Sequence, residues 1–415
     1  MAEKTMELRS GMNQFDGVRL EKKLVLGIQH VLAMFGATVL VPILTGLNPA
    51  VALLAAGCGT LLFHYVTEGK VPVFLGSSFA FIPVIQLVDK AYGGLEYAQG
   101  GIVVAGAMYV LLSAFVKVFG VEKIKSYLPP IVTGPMIMVI GLNLSPVAIR
   151  MAASHWPIAI AVVLTVIGVS IFAKGFFKML PILAGVTVGY ILSLSMGLVD
   201  MTAIQQANFL ALPGVTFPKF SLGAIAVVAP IVAVVFMEHI GDITTNGAVV
   251  GKDFFKDPGL HRTLLGDGLA TMFAGMIGGP ANTTYGENTG VLAVTKVYDP
   301  SILRIAACIA IGLSFVGKFG AMLQTIPTAV MGGISLILFG MITSVGLRTV
   351  AEGNIDFTSN RNLIIASLIL VVGIGASVVT DISVGIRITK DIQLTGLSLA
   401  AVIGIVANKI LPTEK

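Results

Sequence analysis

Apolar stretches close to the length of about 20 residues that a helix needs to cross a bilayer recur along this 415-residue chain from Leu24 to Leu411. Nothing else in the sequence restricts the fold so severely. In lipid every backbone N–H and C=O must be paired inside the protein, so segments of this length can span only as helices. Twelve stretches are uninterrupted, at roughly 24–45, 48–66, 100–120, 129–147, 157–173, 179–198, 222–241, 263–279, 301–323, 327–346, 362–379 and 393–411. Two more, near 71–88 and 281–296, are interrupted by Gly and Pro. With 56% hydrophobic residues, 11% charged residues and a mean hydropathy of +0.95, the chain cannot solvate its own surface, since soluble domains carry about 25% charged residues. The sequence predicts an all-α polytopic membrane protein with 14 transmembrane segments.

An even number of crossings puts both termini on one side, and the basic residues say which. Of the 26 Lys and Arg, only Lys90, Arg150, Lys219, Lys318, Arg387 and Lys390 fall in loops opposite the termini. The positive-inside rule then makes both termini cytoplasmic and the protein a multi-pass component of the cytoplasmic membrane. The net charge of +5 reports this topology. The basic residues are scattered over short loops rather than gathered in a stripe, so no nucleic-acid partner is expected. The first 20 residues mix acidic and basic groups and lack a small-residue cleavage site after a short apolar core, so they do not read as a signal peptide. Cys58 and Cys308 lie in predicted spans with neither disulfide nor metal-ligand spacing and are expected to be small apolar core residues. The five histidines form no H-E-x-x-H pair, so neither a metal site nor a cofactor is expected.

The two halves of the chain answer one another. Gln29-His30 corresponds to Glu238-His239 at an offset of 209, Ser77-Ser78-Phe79 to Thr284-Tyr285-Gly286 at 207, and Leu128-Pro129 to Ile326-Pro327 at 198. Seven spans per copy is an odd number, so the second copy enters the membrane inverted, an arrangement found in secondary transporters. The expected organisation is a cytoplasmic tail (1–23), a first seven-span repeat (24–199), an extracellular connection (200–221) and an inverted second repeat (222–415). In each interrupted span, Gly and Pro bracket a few β-prone residues, predicting a short extended piece followed by a half-helix. Irregular backbone at membrane depth is tolerated only where protein buries it or it lines a cavity.

Two polar strings stand inside apolar segments: Glu238-His239-Ile240-Gly241-Asp242 and Asn282-Thr283-Thr284-Tyr285-Gly286-Glu287-Asn288. An ionisable side chain at membrane depth costs at least about 2.5 kcal/mol and is a functional-site candidate by default. Glu238 and Asp242, four residues apart, share a helix face. A carboxylate can accept from two adjacent N–H donors, Glu287 is a further acceptor, Gly286 lets the backbone approach a flat ring, and Phe79 can stack on that ring. Together these groups describe a pocket for a small planar lactam.

Gln29-His30 followed by Met34-Phe35-Gly36-Ala37-Thr38, the string Gly76-Ser77-Ser78-Phe79-Ala80-Phe81, Glu238-His239, and Asn282 through Gly290 together resemble the nucleobase:cation symporter-2, or nucleobase/ascorbate transporter, family, and most closely its uracil-transporting bacterial branch. The resemblance covers essentially the whole chain. It implies a core domain from spans 1–4 and 8–11, a gate domain from spans 5–7 and 12–14, and proton-coupled uptake of a nucleobase, usually by a homodimer. It also implies that Glu238 and Glu287 bind the uracil edge, that Gly286 contributes backbone, and that Phe79, Tyr285 and Phe339 line the site. Gln29, His30, His239, Ser78 and Asn288 are supporting positions. Asp242 departs from this pattern, since some uracil-transporting members carry His there and Asp resembles the purine branch; Glu287 stands where many purine members have Gln.

A carboxyl group withdrawn from water is readily held neutral, so the coupled proton is expected on Glu238, Asp242 or Glu287. Other readings are a xanthine or other purine symporter of the same build, coupling to sodium, an anion exchanger or channel, and an intramembrane enzyme. Three acidic residues oppose the anion reading, and the enzyme reading lacks a nucleophile paired with a base.

Overall fold

A computed structural model describes residues 19–120, 129–378 and 396–412, together with 386–387 and 393–394. The predicted tail up to residue 18, Lys123, Lys125 and Leu128 in the loop before the fifth segment, Lys390 and Lys415 lie outside the described residues.

The chain is mostly helical, and each predicted apolar segment contains a helix. Helix α1 (Leu20–Thr45) ends at Gly46, whose φ of 81° closes the turn, and α2 (Pro49–Val66) starts at once, its first turn capped by Asn48. The interrupted third segment contains strand β1 (Leu75–Ser77), a 3₁₀ turn at Phe79–Phe81 and helix α3 (Ile82–Tyr92). Helices α4 (Leu95–Phe119), α5 (Pro130–Ala153), α6 (Trp156–Phe172) and α7 (Pro181–Ser195) complete the first half. After the short α8 (Thr202–Gln206), the second half runs α9 (Leu222–Val228), α10 (Ile231–Val250), α11 (Leu260–Ile277), β2 (Asn282–Thr284) and α12 (Gly286–Thr295). It continues with α13 (Pro300–Ser314), α14 (Gly317–Gln324), α15 (Thr328–Glu352) and α16 (Asn360–Val378), then the two-residue strands β3 (Ile386–Arg387) and β4 (Gln393–Leu394), and ends in α17 (Gly396–Ile410).

Among the described residues, six helical stretches are long and apolar enough to cross a membrane: α1, α2, α4, α5, the pair α9–α10, and α15. The lipid-facing character shows on α6, where Ile160, Leu164, Ile167 and Ile171 are exposed along one helical stripe.

Packing falls into two groups. In one, α11 packs on α4 and α2, and α13 packs on α2 and α1, around the strands. In the other, α5 packs on α15 and α16, α6 on α7 and α15, and α16 on α17. The α5–α15 crossing is close because glycines face backbone: a Cβ on Gly346 would stand 2.6 Å from the Gly134 carbonyl oxygen, and one on Gly141 would stand 2.5 Å from the Phe339 carbonyl oxygen. The groups touch where Gly36 of α1 meets Ile182 of α7.

Three expectations need correction. The segment 301–323 is not one helix: it breaks at Phe315–Val316, where the connection between the halves docks. Ala211 N donates to Phe315 O at 3.0 Å and Gly317 N to Phe209 O at 2.9 Å, around the Leu210–Val316 bridge, and these foreign partners replace the helix's own. The segment 222–241 is divided near Pro230, and its second helix runs on to Val250. Cys58 is half-buried and Cys308 exposed, so neither is a core residue; they sit on the adjoining helices α2 and α13.

Candidate functional site

Strands β1 and β2 bring the two interrupted segments together. They pair antiparallel with Leu75 opposite Thr284, Gly76 opposite Thr283 and Ser77 opposite Asn282. The ladder is extended on both sides, by Ser78 N to Ala281 O at 2.8 Å and Tyr285 N to Phe74 O at 3.0 Å. Strand residues on both sides are fully buried, which is tolerable because the polar backbone of each piece is satisfied by the other. Side chains from flanking helices complete the pairing. Thr60 of α2 accepts from Leu75 N at 2.9 Å, and Asn282 Nδ2 donates to Ala55 O at 3.0 Å.

Gly76 is required by this crossing. Any Cβ there would collide with the ring of Tyr285 and stand 2.8 Å from Thr38 Oγ1. The ring cannot swing away freely, because the Tyr285 hydroxyl donates to Ser77 O at 2.9 Å.

Directly after β2, α12 begins at Gly286, so its unpaired N–H groups and the positive end of its dipole lie at the strand crossing. Glu287 sits in this first turn. Across from it, α10 supplies Glu238 and Asp242. Asp242 lies in mid-helix rather than at a helix end, and its Oδ2 accepts from Thr284 Oγ1 at 2.9 Å. The nearest neighbour of a Cβ built on Gly286 is Asp242 Oδ1 at 3.8 Å, so the Gly286 backbone is open. Glu238, Asp242 and Glu287 lie near enough to interact electrostatically, yet each is only partly buried. Among the described residues, no ion pair involves any of the three. Ionised carboxyl groups are acceptors only, so the three together can take only hydrogen-bond donors.

Phe79 opens the 3₁₀ turn after β1 and packs half-buried against the main apolar cluster. Phe339 belongs to that cluster and is 2% exposed; Tyr285 lies in a neighbouring cluster with Phe35 and Phe74. The supporting positions have particular partners. Asn288 Nδ2 donates to His30 Nδ1 at 3.0 Å and to His30 O at 3.1 Å, fastening α12 to α1. Ser78 Oγ and Gln29 Oε1 are buried without a hydrogen-bond partner among the described residues. His239 is held between Asp267 Oδ2 at 3.1 Å and Thr263 Oγ1 at 2.9 Å.

The sequence reading missed Asp267, Thr263 and Thr284. Asp267 carried a signal, since it is an ionisable residue within a predicted apolar span, the same criterion that singled out Glu238. It is 1% exposed, and its Oδ1 has no hydrogen-bond partner among the described residues. Thr263 carried none, and Thr284 stood within a polar string without any sign of its partner, because only the tertiary packing puts these hydroxyls on His239 and Asp242.

The model of a permease family matches residues 21–382. A probable uracil permease from Pasteurella multocida is 44% identical over 97% of this chain and 98% of that one. The uracil permease of Bacillus subtilis is 42% identical over 94% of this chain and 92% of its own length, and a putative pyrimidine permease from Escherichia coli is 40% identical over 85% and 82%. In fold, the chain is similar to the transmembrane domain of the cyanobacterial bicarbonate transporter BicA, with a TM-score of 0.60 at 14% identity, covering 86% of this chain and 96% of that one. It is also similar to the structure of SLC26A9, with a TM-score of 0.66 at 10% identity, covering 98% and 68%. The matched relatives are permeases rather than enzymes. With the family model and relatives above 40% identity both spanning most of its length, the chain belongs to the nucleobase:cation symporter-2 family of membrane permeases.

Proposed function

We propose that this protein imports uracil together with protons across the cytoplasmic membrane by alternating access. The observation that carries the proposal is the paired β1–β2 crossing that sets Glu287 and the Gly286 backbone opposite Glu238 and Asp242. A uracil ring offers N–H donors and carbonyl acceptors along one edge. Glu238 and Glu287 accept the former, the first N–H groups of α12 serve the latter, Phe79 stacks on the face, and Tyr285 and Phe339 form the walls. The names of the relatives, uracil and pyrimidine permeases, favour uracil over xanthine.

Glu238, Asp242 and Glu287 have no cationic partner among the described residues, so a proton can compensate their charge. Proton and substrate then favour the same occluded state, and the group containing α1–α4 and α10–α13 moves against the group containing α5–α7 and α15–α17. The helix pairings support two inverted sets of seven crossings. Exchanging each span for the one seven later turns the α4–α11 contact into α13–α2, α6–α7 into α16–α17, and α6–α15 into α16–α5, and all are present. Cytoplasmic termini and a homodimer complete the proposal, on the distribution of basic residues and the family resemblance respectively.

Uptake of radiolabelled uracil into proteoliposomes with an inward proton gradient tests it, with xanthine, hypoxanthine and thymine as competitors and Glu287→Gln as the variant. The expected result is gradient-driven uptake, blocked by pyrimidines and lost in the variant. Uptake of xanthine but not uracil would refute the substrate, and uptake driven by sodium alone would refute the coupling ion.

A further inference from the structure

From Trp156 to Ser195 the helical hairpin of α6 and α7 holds only two charged residues, Lys174 and Lys178, and no acidic one. Both lysines stand at its turn, where Gly175–Met179 forms a short 3₁₀ helix. Both are exposed, and neither is in an ion pair among the described residues. The aromatic residues of the turn divide between two surroundings. Phe176 packs inward on the cluster of Ala33, Leu180 and Val291. Phe172 and Phe177 are instead 78% and 70% exposed. Phe172 ends α6, and the exposed lipid-facing stripe of that helix leads to it. Water is a poor surrounding for two exposed rings and hydrocarbon a poor one for two lysines, whereas the boundary between them suits both.

We propose that this turn is a binding surface for the headgroups of anionic phospholipids. Phe172 and Phe177 sit among the upper acyl carbons, and the two ammonium groups lie on phosphate. The 17 residues of α6 rise about 25 Å, close to the hydrocarbon thickness of about 30 Å, so the ends marked by Trp156 and Phe172 both reach headgroup depth. Each basic residue at such a surface favours an anionic over a neutral headgroup by about fivefold. The hairpin has no carboxylate to cancel either charge, so the two lysines act together. A second copy of this chain is the poorer occupant. Copies in one membrane share an orientation, so a two-fold contact through the turn would set four lysines at one depth with no acidic residue of either hairpin between them.

The test is independent of transport and of orientation. The chain has one tryptophan, Trp156, so in a Trp156→Phe background a single new tryptophan reports its own surroundings. Phe177→Trp places it on the turn, Phe172→Trp at the end of α6, and Leu164→Trp in mid-helix on the lipid-facing stripe. Each full-length protein is reconstituted in phosphatidylcholine bilayers containing a minority of phosphatidylglycerol or phosphatidylcholine brominated on the upper acyl carbons. The expected result is that brominated phosphatidylglycerol quenches positions 177 and 172 about fivefold or more in preference to phosphatidylcholine, with no preference at position 164. Lys174→Gln combined with Lys178→Gln should abolish the preference, and Lys174→Arg combined with Lys178→Arg should retain it. Equal quenching by both lipids at 177 and 172 means bulk lipid only and overturns the proposal. So does a preference that survives the double glutamine substitution, which puts the selecting charge elsewhere. Absence of quenching at 177 while 164 is quenched overturns it as well, because water or protein then covers the turn.

Discussion

Replacing Gly76 with alanine should cost this protein most of its ligand affinity, because the added methyl group has nowhere to go. It would strike the Tyr285 ring and press on Thr38 Oγ1. The ring is fixed at its far end by the bond from its hydroxyl to Ser77 O. Relief therefore needs either a widened strand pair or a displaced ring. Overpacking of a dense interior costs about 1–3 kcal/mol, and stranding the buried Tyr285 hydroxyl and Ser77 carbonyl costs about 1–3 kcal/mol more. The total of about 2–6 kcal/mol falls on Tyr285-Gly286-Glu287, since these follow β2 without an intervening loop. Its lower bound alone corresponds to a roughly 30-fold weaker Kd. Substrate-induced thermal shift on the purified protein, titrated over substrate concentration, measures the change. Gly290→Ala, at a position with open space around its Cβ, is the control and should bind like the parent. Tyr285→Leu combined with Gly76→Ala should recover stability but not affinity. A Gly76→Ala protein that binds within threefold of the parent would show that the strand pair gives way easily, and the rigidity assumed for the crossing would be wrong.

Three other expectations are open to measurement. Asp299 caps α13 through Ser301 N at 2.8 Å and pairs with Lys23 Nζ at 2.6 Å. Its burial pushes the carboxyl up, but Lys23 and Ser301 together outweigh that and hold it below the usual carboxylate range. Its contribution is therefore present above about pH 4 and lost as pH falls through the depressed value. Asp299→Ala should lower stability at neutral pH by about 1–2 kcal/mol, Asp299→Asn by less because asparagine still caps, and both differences should shrink in thermal melts below about pH 4. Gly346→Leu should force α15 from α5 at the Gly134 carbonyl and lower the melting temperature by several degrees, whereas Gly168→Leu, in open space, should not. Lys70→Ala removes ion pairs to Glu68 at 2.9 Å and Asp257 at 2.6 Å, but all three side chains are exposed. Chemical denaturation should register less than about 1 kcal/mol.

Much of this molecule was legible in its sequence because lipid admits so few structures. Hydropathy located the segments that carry every described helix except the short α8, and the Gly and Pro residues around Leu75–Ser77 and Asn282–Thr284 marked the strands β1 and β2. What hydropathy cannot register is a hydrogen bond from elsewhere in the chain. The break at Phe315–Val316 lies in an unremarkable apolar run and exists because Phe209 and Ala211 dock there. The same blindness hid the Thr284 hydroxyl on Asp242. Asp267 is a different case, since its charge was visible but it lacked the neighbouring polar residues that made Glu238 and Glu287 conspicuous.

The three-residue pairing of β1 with β2 joins positions more than 200 residues apart in the chain. While a ribosome is still producing the second half, β1 is an edge without a partner, and the first seven segments hold one strand of a crossing that nothing has completed. Contacts of such sequence separation form late, and an unpaired strand edge is a point of misassembly until they do. Chains released early should then be targets for membrane quality control rather than weak transporters. Two separately translated halves should regain function only when both are present in one membrane to close the strand pair.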